Sequence, residues 1–214
     1  MLGLNYTNLV DPILRHLRSQ VPGFAGMPAG QSVLDVCCGT GAQVYEYAAR
    51  GLKATGLDIS SEMLNMRRRP QGEAFDYEPS FYLADAACMP FEDNLFDYVS
   101  VTLALHDKDD ALQDSIISET MRVVKKGGGL VLMDYNAPAS PSILGLLVKV
   151  IEFVAGGDHM RNYSSYMKKT GLRAILSRHA LTVEKTQVLK SGIFRMVLCR
   201  PAEEFARGVC AKPA

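Results

Sequence analysis

Carboxylates and glycines that could hold a polar cofactor recur at regular points in the first half of the chain. Asp35 lies inside a short apolar run, and Gly39 and Gly41 follow that run. Asp58 and Asp85 each come directly after a later apolar run. An ionised aspartate can accept hydrogen bonds from two ribose hydroxyls, and glycines allow a ligand to approach the backbone closely. This pattern predicts a nucleotide-type binding site.

The order around the two glycines predicts a strand, a tight turn and a helix. Residues 33–36 form the expected strand and residues 42–49 the expected helix, whose first N–H groups would face a ligand in the turn. A dinucleotide fingerprint requires a third glycine where this chain has Val44. From the turn alone, an ordinary strand–helix connection with glycines for packing stays open as the alternative.

Strands and helices alternate along the chain, which is typical of an α/β fold with a doubly wound, mostly parallel sheet and helices on both faces. Strands are expected at 33–36, 53–58, 80–84, 96–105 and 130–133, and helices are expected to begin at Pro12, Ala42, Ser60 and Asp109. A loop is expected at 21–30, helices at 143–154 and 165–177, and a closing hairpin at 180–189 and 193–200. Ligands bind outside the carboxyl ends of such strands, so Thr102 and His106 should reach the same edge as the aspartates.

Length and charge restrict the class of protein. A chain of 214 residues suits one domain, 1–214, for which we expect an N-terminal flap at 1–30 and a substrate cap at 136–166. Lys+Arg and Asp+Glu balance at 23 each, and this balance argues against a nucleic-acid partner. The five cysteines are not spaced as C-x-x-C pairs, which argues against a disulfide framework and against a metal site, and fits a reducing, cytoplasmic location.

Several segments resemble the class I S-adenosylmethionine (SAM)-dependent methyltransferases, and most of all the group containing the ubiquinone and menaquinone C-methyltransferases. They are V-L-D-V-C-C-G-T-G, G-L-D-I-S, D-A-A-C-M-P-F-E-D-N-L-F-D and K-K-G-G-G-L-V-L-M-D. The resemblance implies a Rossmann-like seven-stranded sheet, SAM as cofactor and S-adenosylhomocysteine as product. It implies contacts to the methionine end from Asp35, Gly39, Thr40 and Gly41, to the ribose from Asp58, to the adenine from Ile59, Asp85 and Ala86, and beneath the sulfonium from Thr102.

The acceptor and the catalytic base are less constrained by these segments. The resemblance implies a small, apolar or aromatic acceptor, quinol-like or phenolic. His106 is the first candidate base because its ordinary pKa lies near neutrality, with packing or helix capping as the alternative role, and His159 is the second candidate. The quinone enzymes usually carry an Arg-Asn-like pair where this chain has His106 and Asp107. Tyr163 and Tyr166 could stack on an aromatic acceptor.

Other classes of function remain to be weighed against methyl transfer. A catalytically silent SAM- or nucleotide-binding module acting through a partner protein would keep the same aspartates. A nicotinamide-dependent oxidoreductase is disfavoured by Val44. The apolar segment 143–154 is too short to span a bilayer, and either packs in the core or forms a lid that touches a membrane surface. The oligomeric state stays open, and a homodimer is compatible with the sequence.

Overall fold

The computed structural model describes residues 6–137 and 156–202, and within them seven strands form one sheet in the order β3-β2-β1-β4-β5-β7-β6. The strands are β1 Ser32–Val36, β2 Lys53–Asp58, β3 Ser80–Leu83, β4 Phe96–Thr102, β5 Val124–Tyr135, β6 Leu181–Leu189 and β7 Phe194–Pro201. Strands β1 to β5 pair in parallel, and β7 runs antiparallel to both β5 and β6. The predicted doubly wound sheet with an antiparallel closing hairpin is confirmed.

Six α-helices are described: α1 Tyr6–Ala25, α2 Ala42–Ala48, α3 Ser61–Asn65, α4 Asp110–Val123, α5 Gly157–Lys168 and α6 Leu172–Arg178. Two predicted helix starts are confirmed by their caps. The Ser60 hydroxyl accepts the Met63 N–H at 3.2 Å, and the Asp109 carboxylate accepts the Leu112 N–H at 2.8 Å. The predicted helix at 143–154 and most of the predicted cap at 136–166 lie outside the described residues.

The first helix was placed wrongly by sequence reasoning. It neither begins at Pro12 nor stops before a loop at 21–30, because α1 runs without interruption from Tyr6 to Ala25. Leu14, Leu17 and Val21 recur at helical spacing and are buried against the sheet. Packing of this apolar face outweighs the local preference of the Pro-Gly pair that suggested a loop.

A glycine divides the helix predicted at 165–177 into two. Gly171 has a φ of +62° between α5 and α6, and a Cβ at this position would lie 3.1 Å from the ring of Tyr166. The fifth strand begins at Val124 rather than at residue 130. Its glycines approach β4 closely, since a Cβ on Gly129 would lie 2.6 Å from the ring of Tyr98.

The buried side chains form two clusters, one on each face of the sheet, because successive residues of a strand point to opposite faces. Val33 packs with α1 and α2, whereas Leu34 packs with α4 and α6. This arrangement fixes the register of β1 and therefore the position of Asp35 and of the glycine turn that follows it. No helix in the described part of the chain is long and apolar enough to cross a membrane.

The cysteines do not all behave as their spacing predicted. Cys37, Cys38 and Cys199 are free thiols, whereas Cys88 is disulfide-bonded. The argument from spacing against disulfides is therefore wrong for Cys88. Disulfide formation depends on the distance between two Cα atoms in space, which spacing along the chain does not determine.

Candidate active site

A cavity of about 120 Å³ lies at the carboxyl ends of β1 and β4. Four of the predicted cofactor residues line it together: Asp35, Gly39, Thr40 and Thr102. They come from three separate segments of the chain, namely β1, the glycine turn and the end of β4. The fold thus brings together the residues expected to hold the methionine end and the sulfonium.

Asp35 is the buried acid of this cavity, with 1% of its surface exposed. Its Oδ1 accepts a hydrogen bond of 2.7 Å from the Ser100 hydroxyl on the neighbouring strand β4. Burial raises the pKa of Asp35 to about 7, while the hydrogen bond from Ser100 and the charge of Arg18 act in the opposite direction. A cation bound in the cavity would favour the ionised carboxylate.

The glycine turn has the conformation that the sequence predicted for it. Gly39 and Gly41 have φ angles of +55° and +73°, in the left-handed region. A Cβ on Gly41 would also lie 2.6 Å from the ring of Phe81. Both the backbone conformation and the space around it therefore require glycine where α2 begins.

Two residues other than glycine share the left-handed conformation beside the cavity. Cys37, directly after β1, has a φ of +58°, and Leu103, directly after β4, has a φ of +56°. Both line the cavity. Strained backbone of this kind is concentrated at functional sites in proteins, and here it turns the ends of two adjacent strands toward the cavity.

Asp58 ties the glycine turn to the end of β2. Its Oδ2 accepts the Gly39 N–H at 2.7 Å, and its Oδ1 accepts the Ser60 N–H at 2.8 Å. A carboxylate has about four acceptor positions, so these two bonds leave capacity for ribose hydroxyls. Asp58 therefore shapes the turn and keeps acceptor positions beyond these two bonds.

The residues predicted to meet the adenine do not line the cavity, and they follow the neighbouring strands β2 and β3. Ile59 follows β2 and is 70% exposed. Asp85 follows β3 and accepts the Ala87 N–H at 2.8 Å, and Ala86 is buried beneath it. Their positions at the ends of β2 and β3 are compatible with a flat ring lying along this edge of the sheet.

Two polar cavity residues were missed by sequence reasoning, Arg18 on α1 and Gln43 on α2. The charge of Arg18 acts on Asp35 across the cavity. The Gln43 Nε2 donates to the Arg18 carbonyl oxygen at 3.3 Å, which joins the two helices. Arg18 stands in no motif, and Gln43 takes a position of the glycine-turn pattern at which any residue type is allowed, so no local sequence signal distinguished either of them.

The first candidate base, His106, pairs with Asp134, a buried acid that follows the apolar residues of the fifth expected strand. Its Nδ1 lies 2.7 Å from Asp134 Oδ1. Asp134 Oδ2 accepts the N–H of Leu105 at 2.9 Å and that of His106 at 3.2 Å. A carboxylate at this distance favours the tautomer with the proton on Nδ1, in which Nε2 is the basic nitrogen.

Aromatic rings surround His106. Ring centroids lie 4.6 Å away for Tyr135, 6.3 Å for Tyr163 and 6.5 Å for Tyr166. The Tyr166 hydroxyl donates to the Tyr135 carbonyl oxygen at 3.1 Å, and burial raises the Tyr166 pKa well above its ordinary value. Tyr163 and Tyr166 are buried, so they build an apolar wall around the histidine rather than an exposed surface.

His159 occupies a different environment at the start of α5. Its Nδ1 lies 3.5 Å from Asp107 Oδ2, and its side chain is 45% exposed. Asp107 also forms an ion pair with Lys108, and its carbonyl oxygen accepts the Asn162 amide. His106 and His159 are therefore held by different acids, one buried and one partly exposed.

No group of three or more His, Cys, Asp or Glu side chains in residues 6–137 and 156–202 could hold a metal ion.

Comparison with known families matches the segment that supplies most of the residues lining this cavity. Residues 33–128 match the family model described as a methyltransferase domain. The demethylmenaquinone methyltransferase of Renibacterium salmoninarum is 36% identical over 126 residues, which cover 58% of this chain and 49% of that protein. The demethylmenaquinone methyltransferase of Shouchella clausii is 33% identical over 144 residues, which cover 64% of this chain and 60% of that protein. The chain thus spans less than two thirds of the length of these relatives.

Solved structures share the fold at low sequence identity. A SAM-dependent methyltransferase from Methanosarcina mazei has a TM-score of 0.62 and 18% identity, with 85% of this chain and 96% of that chain covered. Magnesium protoporphyrin IX methyltransferase from Synechocystis PCC 6803 with bound S-adenosylhomocysteine has a TM-score of 0.62 and 20% identity, with 88% and 83% covered. These similarities confirm the predicted fold.

Proposed function

We propose that this chain, whose residues 33–128 match a methyltransferase domain model, transfers a methyl group from SAM to a small, apolar or aromatic acceptor of the quinol or phenol type. The observation that carries the proposal is the juxtaposition of two features at one edge of the sheet. One is the cavity lined by Asp35 and the glycine turn. The other is the histidine–aspartate pair of His106 and Asp134, which begins four residues after Thr102, a residue of that cavity.

The chemistry of the cavity fits SAM. The methionine end of SAM carries an ammonium and a carboxylate, and the cavity presents the Asp35 carboxylate and the Arg18 guanidinium. Asp58 has acceptor capacity for the ribose hydroxyls, and Ile59 offers an apolar side chain to the adenine. All of the predicted contacts to the cofactor, including those to its methionine end, are part of the proposal.

SAM supplies a methyl group activated by a positively charged sulfur. The chain's own residues mainly have to hold the acceptor in line with that methyl, and positioning of this kind can supply ~7–11 kcal/mol of a barrier. Thr102 and Leu103, at the end of β4, line the cavity where the two ligands would meet. An enzyme of this design requires a base only when the acceptor must lose a proton.

We propose His106 as that base for a phenolic hydroxyl or a ring carbon. The contact with Asp134 favours the proton on Nδ1, so Nε2 is the ring nitrogen that would act as the base. His159 is the second candidate and is less suited, because its partly exposed ring is held by Asp107 without the backbone contacts that fix Asp134. The aromatic wall around His106 favours an apolar acceptor.

The acceptor class is supported by the curated relatives, which are named as demethylmenaquinone methyltransferases. For this chain a quinol is therefore the first acceptor to test. A quinol offers both a ring carbon and a phenolic hydroxyl to a base. The replacement of the usual Arg-Asn-like pair by His106 and Asp107 leaves other phenols as acceptors to test beside it.

The decisive experiment combines cofactor binding with methyl transfer. Calorimetry with S-adenosylhomocysteine and NADH should show binding of the first and no binding of the second. SAM with a labelled methyl group should then label a short-chain demethylmenaquinol, or a phenol from a matched panel, and not the oxidised quinone. Binding of S-adenosylhomocysteine without labelling of any quinol or phenol would contradict the proposed acceptor class and favour a silent binding module. No binding of S-adenosylhomocysteine would contradict the function as a whole.

A further inference from the structure

The turn that carries His106, residues 103–109 between β4 and α4, is held by side chains from three different elements. On one side, the Asp134 carboxylate at the end of β5 accepts the N–H groups of Leu105 and His106. On the other side, side-chain amides on α4 and α5 donate to carbonyl oxygens of the turn. The backbone that places the imidazole is therefore fixed by contacts to both its N–H and its C=O groups.

Gln113, near the start of α4, makes two of the contacts to the carbonyl oxygens. Its Nε2 donates to the Leu105 carbonyl oxygen at 2.9 Å and to the Lys108 carbonyl oxygen at 3.0 Å. An amide nitrogen carries two N–H bonds, and here these bonds bracket His106 and Asp107. Gln113 is only 3% exposed, so water does not replace this donor.

A third contact settles the orientation of the Gln113 amide. Arg178, the last residue of α6, donates from Nη2 to Gln113 Oε1 at 2.9 Å. The flipped amide would place an oxygen against two carbonyl oxygens and its N–H groups against a guanidinium. Arg178 is itself held by Asp114, whose Oδ1 accepts from Nε at 2.9 Å. Gln113 thus joins α6 to the turn that carries His106.

We propose that Gln113 is a positioning residue for methyl transfer, because it holds the backbone on both sides of His106 and so keeps the imidazole against Asp134. This inference rests on the proposed function, in which His106 is the base. Without Gln113 the turn would be held through Asp134 and through the Asn162 amide, which donates to the Asp107 carbonyl oxygen at 2.8 Å. A small displacement of a catalytic group is enough to slow a reaction strongly.

Two substitutions separate the contact to the turn from the contact to Arg178. Gln113→Met removes the hydrogen bonds to both. Gln113→Glu keeps the shape and an acceptor for Arg178, but an ionised carboxylate has no N–H to donate to the two carbonyl oxygens. We expect kcat for a quinol or phenol to fall about 100-fold in both variants, as for a displaced catalytic group, with affinity for S-adenosylhomocysteine unchanged by calorimetry.

Hydrogen exchange measures how firmly the turn is held, and it requires no acceptor. The N–H groups of Leu105 and His106 donate to Asp134, so their exchange reports local opening of the turn. Both variants should exchange these two protons about tenfold faster, the order expected for the loss of one or two hydrogen bonds. The N–H of Leu132, inside β5, should exchange at its usual rate.

Glu119 provides a matched control on the same helix. It is buried and accepts the Met89 N–H at 2.6 Å, so it holds a different part of the chain. Glu119→Gln should lower Tm but leave kcat and the exchange of Leu105 and His106 unchanged. If Gln113→Glu does not fold, Arg178→Met makes the same separation beside Gln113→Met, because it removes the contact to Oε1 and keeps both bonds to the turn.

The remaining outcomes would overturn the inference. Normal kcat and normal exchange in Gln113→Glu would mean that Gln113 only anchors Arg178. Faster exchange with unchanged kcat would mean that the turn is held without placing the base, and an equal acceleration at Leu132 would mean a general loss of stability. If the unmodified protein binds S-adenosylhomocysteine but methylates no quinol or phenol, the proposed acceptor class fails, and the role of Gln113 in methyl transfer fails with it whatever the exchange rates are.

Discussion

Asp134 holds His106 by its ring and by its backbone. One carboxylate oxygen lies 2.7 Å from Nδ1 of His106, and the other accepts the backbone N–H of the same residue at 3.2 Å. The first oxygen also accepts the Tyr135 N–H at 2.7 Å. His106 lies four residues after β4, and Asp134 is the next-to-last residue of β5, which pairs in parallel with β4. The contact between the two residues therefore depends on the register between these strands. This geometry fixes the position of the imidazole and favours the tautomer with the proton on Nδ1.

We expect His106→Asn to slow methyl transfer far more than it weakens cofactor binding. The loss in kcat should be about 10²- to 10⁴-fold, the usual contribution of a general base. Single-turnover kinetics with a quinol or phenol acceptor, together with calorimetry of S-adenosylhomocysteine, would measure the two effects separately. An unchanged rate would show that His106 is only a packing residue.

Asp134→Asn should change the pH dependence of the reaction as well as its rate. The amide would donate to Nδ1, so the ring would carry its proton on Nε2 and lose its basic nitrogen on the acceptor side. We expect kcat to fall and the acid limb of the pH–rate profile to shift or disappear, with affinity for S-adenosylhomocysteine retained. A fall in thermal stability with an unaltered pH profile would contradict the positioning role.

Cofactor affinity should rise with pH up to about 7, because of Asp35. Burial raises the pKa of this carboxyl to about 7, so below that pH it is protonated and neutral in the free protein. The ammonium of S-adenosylhomocysteine favours the ionised carboxylate, and binding therefore releases a proton. The affinity should increase by at most about tenfold per pH unit below the pKa and level off above it.

Calorimetry at a series of pH values from about 5.5 to 7.5 would check this, since α-amino groups begin to lose their proton near pH 8. Asp35→Asn is the matched variant, because it keeps the shape and removes the titration. The variant should show a flat profile over this range. A slope that persists in Asp35→Asn would assign the proton to another group.

Asp58→Ala should weaken S-adenosylhomocysteine by about 1–3 kcal/mol, the usual loss for a charged hydrogen-bond partner. The side chain would no longer hold the Gly39 and Ser60 N–H groups, nor accept from the ribose. Binding of 2′-deoxy and 3′-deoxy analogues would separate these effects, because the variant should discriminate less against them than the unmodified protein does. Unchanged affinity for S-adenosylhomocysteine would overturn the ribose assignment.

Local sequence patterns correctly predicted the elements that are stabilised by interactions between residues close together in the chain. The apolar runs, the glycine turn and the caps at Ser60 and Asp109 act within a few residues, and the structure confirms them. The predictions that were wrong involve tertiary packing. The α1 helix extends past its proline and glycine because a buried face continues through Phe24, and Gly171 divides a helix because Tyr166 packs against it.

The sequence by itself determined the α/β class, the antiparallel closing hairpin and the edge of the sheet where Asp35, the glycine turn and Thr102 meet, because side-chain periodicity and turn chemistry act over short stretches of chain. Only the tertiary structure paired His106 with Asp134, 28 residues apart, and brought Gln43 to Arg18, 25 residues apart. Neither contact leaves a periodic or local signal. Each exists because strand register and helix packing bring distant polar atoms together where water is excluded, and there a polar atom requires a partner.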